Sequence, residues 1–322
     1  MGIIDSISEG LSLVRRRPLM MALPIVLDLS LWLAPQLSVE PLARTIVSGL
    51  VMPQGVSAQQ AADSFDAAKQ FILQSGKDAN LLGLLASGLF GVPSVVGAGM
   101  PEGAGNLGGR VLVGNPLLAV VLALALTVVG VLVAAVYLTT VASAVRGEAL
   151  PTTSLLAKVR RNWLRLLVLT LVLLVLAFAI GVPLTLLLTV ASIFSPAAAA
   201  FLSSMIGLLA LWAGLWVLLY LFFVIDAMML HEVGLQRAIV NSIVVVRSSF
   251  WSSLGLILLV NVLAAGLSVV WRWLAGVAPA GLVVAIVGNA FVGSGLVAAS
   301  LVFYRDRYEA WRNRVLQQRG GS

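Results

Sequence analysis

Two kinds of apolar pattern alternate along this chain. Segments with a single apolar face of helical period lead, three times, into uninterrupted apolar runs of bilayer length. Residues 3–16 place Ile3, Ile4, Ile7, Leu11 and Val14 on one stripe, with Asp5, Glu9, Ser12 and Arg16 opposite. That is the pattern of a helix lying in a membrane interface. A Val-Arg step, Val14-Arg15-Arg16-Arg17-Pro18, closes the segment, and a first span is expected over Pro18–Leu37. The same order recurs at Pro151–Asn162, with the step Val159-Arg160-Arg161, and at Leu235–Phe250, with the step Val246-Arg247. Further spans are expected over Asn115–Val145, Leu164–Val190, Ala198–Met229, Trp251–Leu274 and Pro279–Tyr304.

The expected fold is therefore an all-α integral membrane protein of about six spans. It divides into three parallel units, each a cytoplasmic surface helix feeding a transmembrane hairpin: residues 1–150, 151–233 and 234–304, followed by a basic tail, 305–322. Residues 39–113 are the sizeable non-spanning region. Ser57-Ala58-Gln59-Gln60 reads as a capping box opening a helix over about 57–75. Asn80–Gly99 is uncharged and of span length; it crosses, re-enters or lies on the outer surface. Gly97–Gly109 reads as a flexible Gly-rich loop.

Composition agrees with the pattern. Of 322 residues, 60% are hydrophobic and 10% charged, against roughly a quarter charged in soluble domains. The net charge of +7 comes from Arg beside apolar runs, which points to membrane orientation and anionic lipid rather than nucleic acid. With both termini inside, fifteen of the 20 Lys and Arg residues fall on the cytoplasmic side. The run after Arg17 reads as a retained signal anchor. Trp163, Trp251 and Trp311 inside, and Trp271 and Trp273 outside, fit interfacial belts. Cys is absent, so disulfides and thiolate chemistry are excluded.

Candidate chemistry is sparse. Asp28 lies about ten residues into the first span, roughly 15 Å deep, where an ionisable group needs a partner. Asn261 and Asn289, deep in the last two spans, are the expected partners. The Asp either fixes helix register or relays a proton or ion. Asp226 is expected at the cytoplasmic edge, reaching water or pairing with Arg. His231-Glu232 begins like a zinc-protease helix but lacks the second His, so no metal or other cofactor is expected. Gly97-Ala98-Gly99 and Gly103-Ala104-Gly105 lack the Lys-Ser/Thr step of a phosphate cradle. Ala290, Ser294 and Ala298, with Gly295 and Ala299, form a small-residue stripe suited to close helix packing. Arg15, Arg16, Arg160, Arg161 and Arg247 form a positive ring that anchors the chain or binds anionic headgroups.

Gly234-Leu235-Gln236-Arg237-Ala238, Asn241-Ser242, Val246-Arg247-Ser248-Ser249-Phe250-Trp251 and the tail Phe303-Tyr304-Arg305-Asp306 resemble a bacterial membrane family. This comprises the YciC-like proteins and the membrane domain joined to some glycerophosphodiester phosphodiesterases. The resemblance implies an inner-membrane protein with no established activity. The phosphodiesterase catalytic domain is not part of the matched region. Three functions stay open. One is a non-enzymatic subunit of a membrane assembly or a membrane-organising factor, with lipids and other membrane subunits as partners. The second is a permease or lipid-handling protein with a midplane site near Asp28. The third, an intramembrane enzyme, lacks a facing Ser/His pair or a metal set.

Overall fold

The computed structural model describes residues 2–50, 58–86, 90, 92–97, 99, 107–148, 152–277 and 279–320. The chain is almost wholly helical. Its helices are α1 (Ile3–Arg16), α2 (Leu19–Leu33), α3 (Glu40–Gly49), α4 (Ala58–Asp78), α5 (Pro116–Arg146) and α6 (Thr152–Phe194). They continue with α7 (Pro196–Leu221), α8 (Val224–His231), α9 (Leu235–Ser248), α10 (Phe250–Val277) and α11 (Pro279–Gly320). Among the described residues, five stretches are long and apolar enough to cross a membrane: α5, Leu155–Phe194 of α6, Ala197–His231 of α7 and α8, α10, and Pro279–Gln318 of α11.

The expected first span is shorter than the sequence suggests. Helix α2 has 15 residues, about 22 Å, and its Ala34 cap precedes Pro35, whose ring disfavours continued helix. The chain then forms a two-stranded parallel ribbon that the all-α reading does not contain. Strand β1 (Gln36–Ser38) pairs with β2 (Arg110–Leu112), Gln36 opposite Arg110.

The three-unit grammar holds at two of its three sites. Arg17-Pro18 separates α1 from α2, and a non-helical Ser249 separates α9 from α10. The second surface helix and the following span form one unbroken helix of 43 residues, α6. No Pro or Gly stands near the Val159-Arg160 step, so nothing there removes a backbone donor or relaxes the turn. The basic tail likewise continues α11, a helix of 42 residues.

Helix α1 buries Ser6, Gly10 and Val14 against α11, while Ile4 of its expected apolar stripe is 77% exposed. The close approach depends on small residues. A Cβ on Gly10 would lie 2.6 Å from the Ala299 backbone nitrogen and would overlap the Gly295 carbonyl. The stripe on α11 is thus a packing surface, with Ala290, Ser294, Ala298 and Ala299 buried.

The described residues among 80–97 turn back into the bundle. A short 3-10 helix, Leu81–Ala86, brings the Leu84 carbonyl against Gly130, about 21 Å along α5. Pro93 meets Gly293, a similar distance along α11. Phe90, Val92, Val95 and Val96 are buried. Irregular backbone at this depth needs internal partners for its polar groups. The expected helix over 57–75 is α4, and its capping Ser57 lies outside the described residues. So do Ala98 and the second Gly-Ala-Gly triplet.

Candidate functional site

The structure assigns Asp28 a different role from the one its depth suggests. Its side chain is 1% exposed and faces the turned-back segment, not Asn261 or Asn289. The carboxylate accepts a hydrogen bond from the Ser94 hydroxyl. It also accepts from the backbone N–H groups of Val95, at 2.9 Å, and Val96, at 3.2 Å. The Ser94 oxygen in turn accepts from Gly97 N–H at 2.8 Å. One carboxylate on α2 therefore satisfies backbone donors that bilayer depth would otherwise leave unpaired. The Asn expectation failed because the buried donors nearest Asp28 are main-chain groups, which composition does not reveal.

Asp226 is also inside rather than at a wet edge, and its partner is Ser300, not Arg. The helical rise breaks at Phe222-Phe223, between α7 and α8, with no Pro or Gly present. Ser242 of α9 donates to the Tyr220 carbonyl there at 2.7 Å, taking up an acceptor at the helix end. The break turns α8 inward. Asp226 becomes 7% exposed and accepts from the Ser300 hydroxyl at 2.5 Å.

Beside this pair lies a cavity of about 520 Å³ between α8, α10, α11 and the segment around Pro93. It is within the size range of small-molecule sites. Asp226 and Ser300 stand toward the bundle end that carries the Arg-rich segments, the basic end. Asn261, Ser268, Trp271 and Asn289 line it toward the opposite end, and Ser94 borders it from the turned-back segment. Phe90, Leu138, Phe222, Leu267 and Leu296 supply apolar wall. The cavity brings together three of the four polar residues expected from sequence; Asp28 reaches it only through Ser94.

The polar groups differ in how far they are satisfied. Asn261 donates to the Ile257 carbonyl at 2.7 Å and is otherwise exposed about 17 Å along α10. Asn289 makes no hydrogen bond among the described residues. Trp271, expected in an outer belt, packs its ring on Gly288 of α11, and its buried indole N–H has no partner among the described residues. Sequence reading missed Ser268 and Ser300, because serine in an apolar helix usually bonds back to its own carbonyls, as Ser268 does to Ala265 at 2.7 Å, and it missed Ser94, which lies in non-helical chain and bonds to the distant Asp28.

At the basic end, Glu148 and Glu232 organise the cations. Lys158 pairs with Glu148 at 2.9 Å and with Glu232 at 3.4 Å; Arg146 pairs with Glu148 at 2.9 Å; Arg161 pairs with Glu232 at 3.1 Å. Arg17 donates to the Glu148 carbonyl at 3.1 Å, and Arg146 to that of Met229 at 2.7 Å. The Lys158 hydrogen bond, ahead of the Arg146 charge, holds the Glu148 carboxyl below its ordinary value despite partial burial. Arg161 of the expected lipid ring is thus shared with Glu232, whereas Arg15, Arg16, Arg160 and Arg247 are exposed.

Glu232 has φ of 50°, the left-handed region that suits glycine. Glu232→Ala loses the ion pairs and keeps the backbone strain; Glu232→Gly loses the pairs and relieves it. We expect the Ala variant to be less stable than the Gly variant by about 1 kcal/mol in thermal unfolding. The reverse order would show that the left-handed backbone at this position carries no strain for glycine to relieve.

His231, expected at a surface helix end, sits half-buried with ring centroids 4.3 Å from Tyr308 and 5.5 Å from Tyr304. Among the described residues no cluster of three or more His, Asp or Glu has metal-site geometry. Comparison with family models, with characterised protein sequences and with solved structures gives no match, and so bears neither way on the resemblance to the YciC-like proteins.

Proposed function

We propose that this chain is a non-enzymatic, multi-pass protein of a bacterial inner membrane that holds a membrane-dissolved amphipathic molecule in its intramembrane cavity. The observation that carries this reading is the cavity itself. Its walls are mostly apolar, and its unsatisfied amide and indole groups lie at membrane depth. The reading moves the lipid-handling site from Asp28 to Asp226, Asn261 and Asn289. In this reading α2 completes a six-span arrangement with both termini cytoplasmic, because that orientation puts most of the Arg inside. Exposed Arg15, Arg16, Arg160 and Arg247 then meet anionic inner-leaflet lipid, each contributing about 1 kcal/mol.

A second reading, a subunit of a membrane assembly, has its own support. Helix α6 beyond Leu171, together with most of α7, stands away from the other helices. Phe178, Ile193, Phe201, Trp212 and Leu215 there are 61–76% exposed. Native mass spectrometry of the protein extracted from its own membrane in mild detergent separates the two. A lone protomer with one retained small molecule supports ligand holding; stoichiometric protein partners and an empty cavity support the assembly subunit.

A further inference from the structure

We infer that the cavity selects an amphiphile whose polar group is uncharged, carrying a hydroxyl or amide, and that this group pairs with Asn289 and the Trp271 indole N–H. The inference rests on the ligand-holding reading and adds the chemistry of the head group. No Lys, Arg or His lines the cavity among the described residues, and its one ionisable lining group there is the carboxylate of Asp226. A phosphate or carboxylate head would be desolvated with no counter-charge in the cavity wall. A cationic head would leave water to meet a single carboxylate whose Oδ2 already accepts from Ser300, and one such contact poorly offsets the burial of an ammonium.

An uncharged group has what it needs. The Asn289 carboxamide offers donors and an acceptor, with no partner of its own among the described residues. The buried Trp271 N–H is a donor lacking an acceptor. Asn261 keeps its carbonyl oxygen and one N–H after its bond to Ile257. A hydroxyl both donates and accepts, so it can serve the Asn289 carboxamide as either partner and supply the acceptor that the Trp271 N–H lacks. Unpaired buried polar groups are costly, so the site gains by taking such a ligand and loses by taking a pure hydrocarbon.

The route in follows from Asn261. It is exposed about 17 Å along α10, and Leu258, Val262 and Val269 on the same helix are exposed around it. A polar amide facing hydrocarbon at that depth is unfavourable until a polar group covers it. The ligand therefore enters sideways from the bilayer, head group first past Asn261, and its chain lies along the apolar wall.

The test uses the full chain purified in mild detergent and three photoactivatable probes with the same alkyl chain, ending in a hydroxyl, an ammonium or a phosphate. The hydroxyl probe is expected to crosslink within 260–271 and 289–300. Asn289→Leu is expected to weaken it about tenfold, the loss of about one hydrogen-bond partner, while gel filtration and thermal unfolding stay near wild type. If Asn289→Leu does not fold, Asn289→Ser and Trp271→Phe read the same loss separately. Equal or stronger labelling by the phosphate or ammonium probe overturns the head-group assignment and leaves the ligand-holding reading standing. So does hydroxyl labelling that ignores both Asn289 and Trp271. No site-specific labelling by any probe overturns both.

Discussion

Asp28→Leu is expected to lower the unfolding free energy by about 4 kcal/mol and Tm by about 8–16 °C, among the largest effects of any single substitution in this chain. The variant leaves three donors, Ser94 O–H, Val95 N–H and Val96 N–H, without their common acceptor. Each hydrogen bond to a charged group contributes about 1.5–3 kcal/mol, and a low-polarity surrounding offers no water in exchange. Partial relaxation keeps the total below the simple sum. Asp28→Asn should fall between, because its carbonyl still accepts while its amide N–H₂ faces other donors. The chain has no Cys, so one introduced thiol reports locally. Val95→Cys, at a position 5% exposed, should resist a soluble maleimide in an otherwise native chain and react when Asp28→Leu is added. An Asp28→Leu protein with native Tm and a protected Val95→Cys thiol would show that the segment holds itself. Ser94 borders the cavity, so the same substitution should also weaken ligand crosslinking.

The second large effect is expected at Gly10. Gly10→Val should destabilise by about 3 kcal/mol and release α1 from α11. The added carbons meet main-chain atoms of Gly295 and Ala299, and helical backbone cannot move aside without parting the two helices. Gly295→Ala makes the informative contrast. Its new methyl meets the end of the Leu11 side chain, which can change rotamer, so a loss under about 1 kcal/mol is expected. Ser6→Cys, fully buried in the α1–α11 contact, reports the separation by its reactivity. Equal losses from the two glycine substitutions would mean that the contact is looser than the structure has it.

Much of the fold was legible because hydrophobic run length is a strong signal in a membrane. The apolar runs over 164–190, 251–274 and 279–304 each lie within one long helix, as does 115–145 apart from its capping Asn115, while 198–229 is divided between α7 and α8. What stayed hidden was set by contacts distant in sequence. Nothing local in Pro18–Leu37 marks Gln36–Ser38 as a strand, because its partner is Arg110–Leu112. Nothing local separates a surface helix from the start of a long span, which is why α6 lacks the break expected after Asn162. The candidate site was half legible. Isolated Asp and Asn in apolar helices marked residues of interest, since polar groups are costly there. Their grouping depends on the break at Phe222-Phe223 and on the turned-back segment, neither of which has a Pro or charge signature at its centre. The role of Glu148 and Glu232 in gathering the cations was not legible, because Lys158 and Arg161 reach Glu232 from far away in sequence.

The pairing of Ser38 with Asn80 has a consequence for how this protein can vary. The Asn80 side chain accepts from Leu37 N–H at 3.0 Å and Leu82 N–H at 3.1 Å, so the chain returns, and is fastened, beside the point where it left. The described residues between them, α3 and α4, form an excursion whose two ends meet at this pairing. Gly76 lies against Ala43 within that excursion. The entropy of closing a loop grows slowly with its length, by about 0.6 kcal/mol for each doubling. The lobe can therefore be shortened, extended or exchanged for another domain while Asn80 still anchors the segment that Asp28 holds.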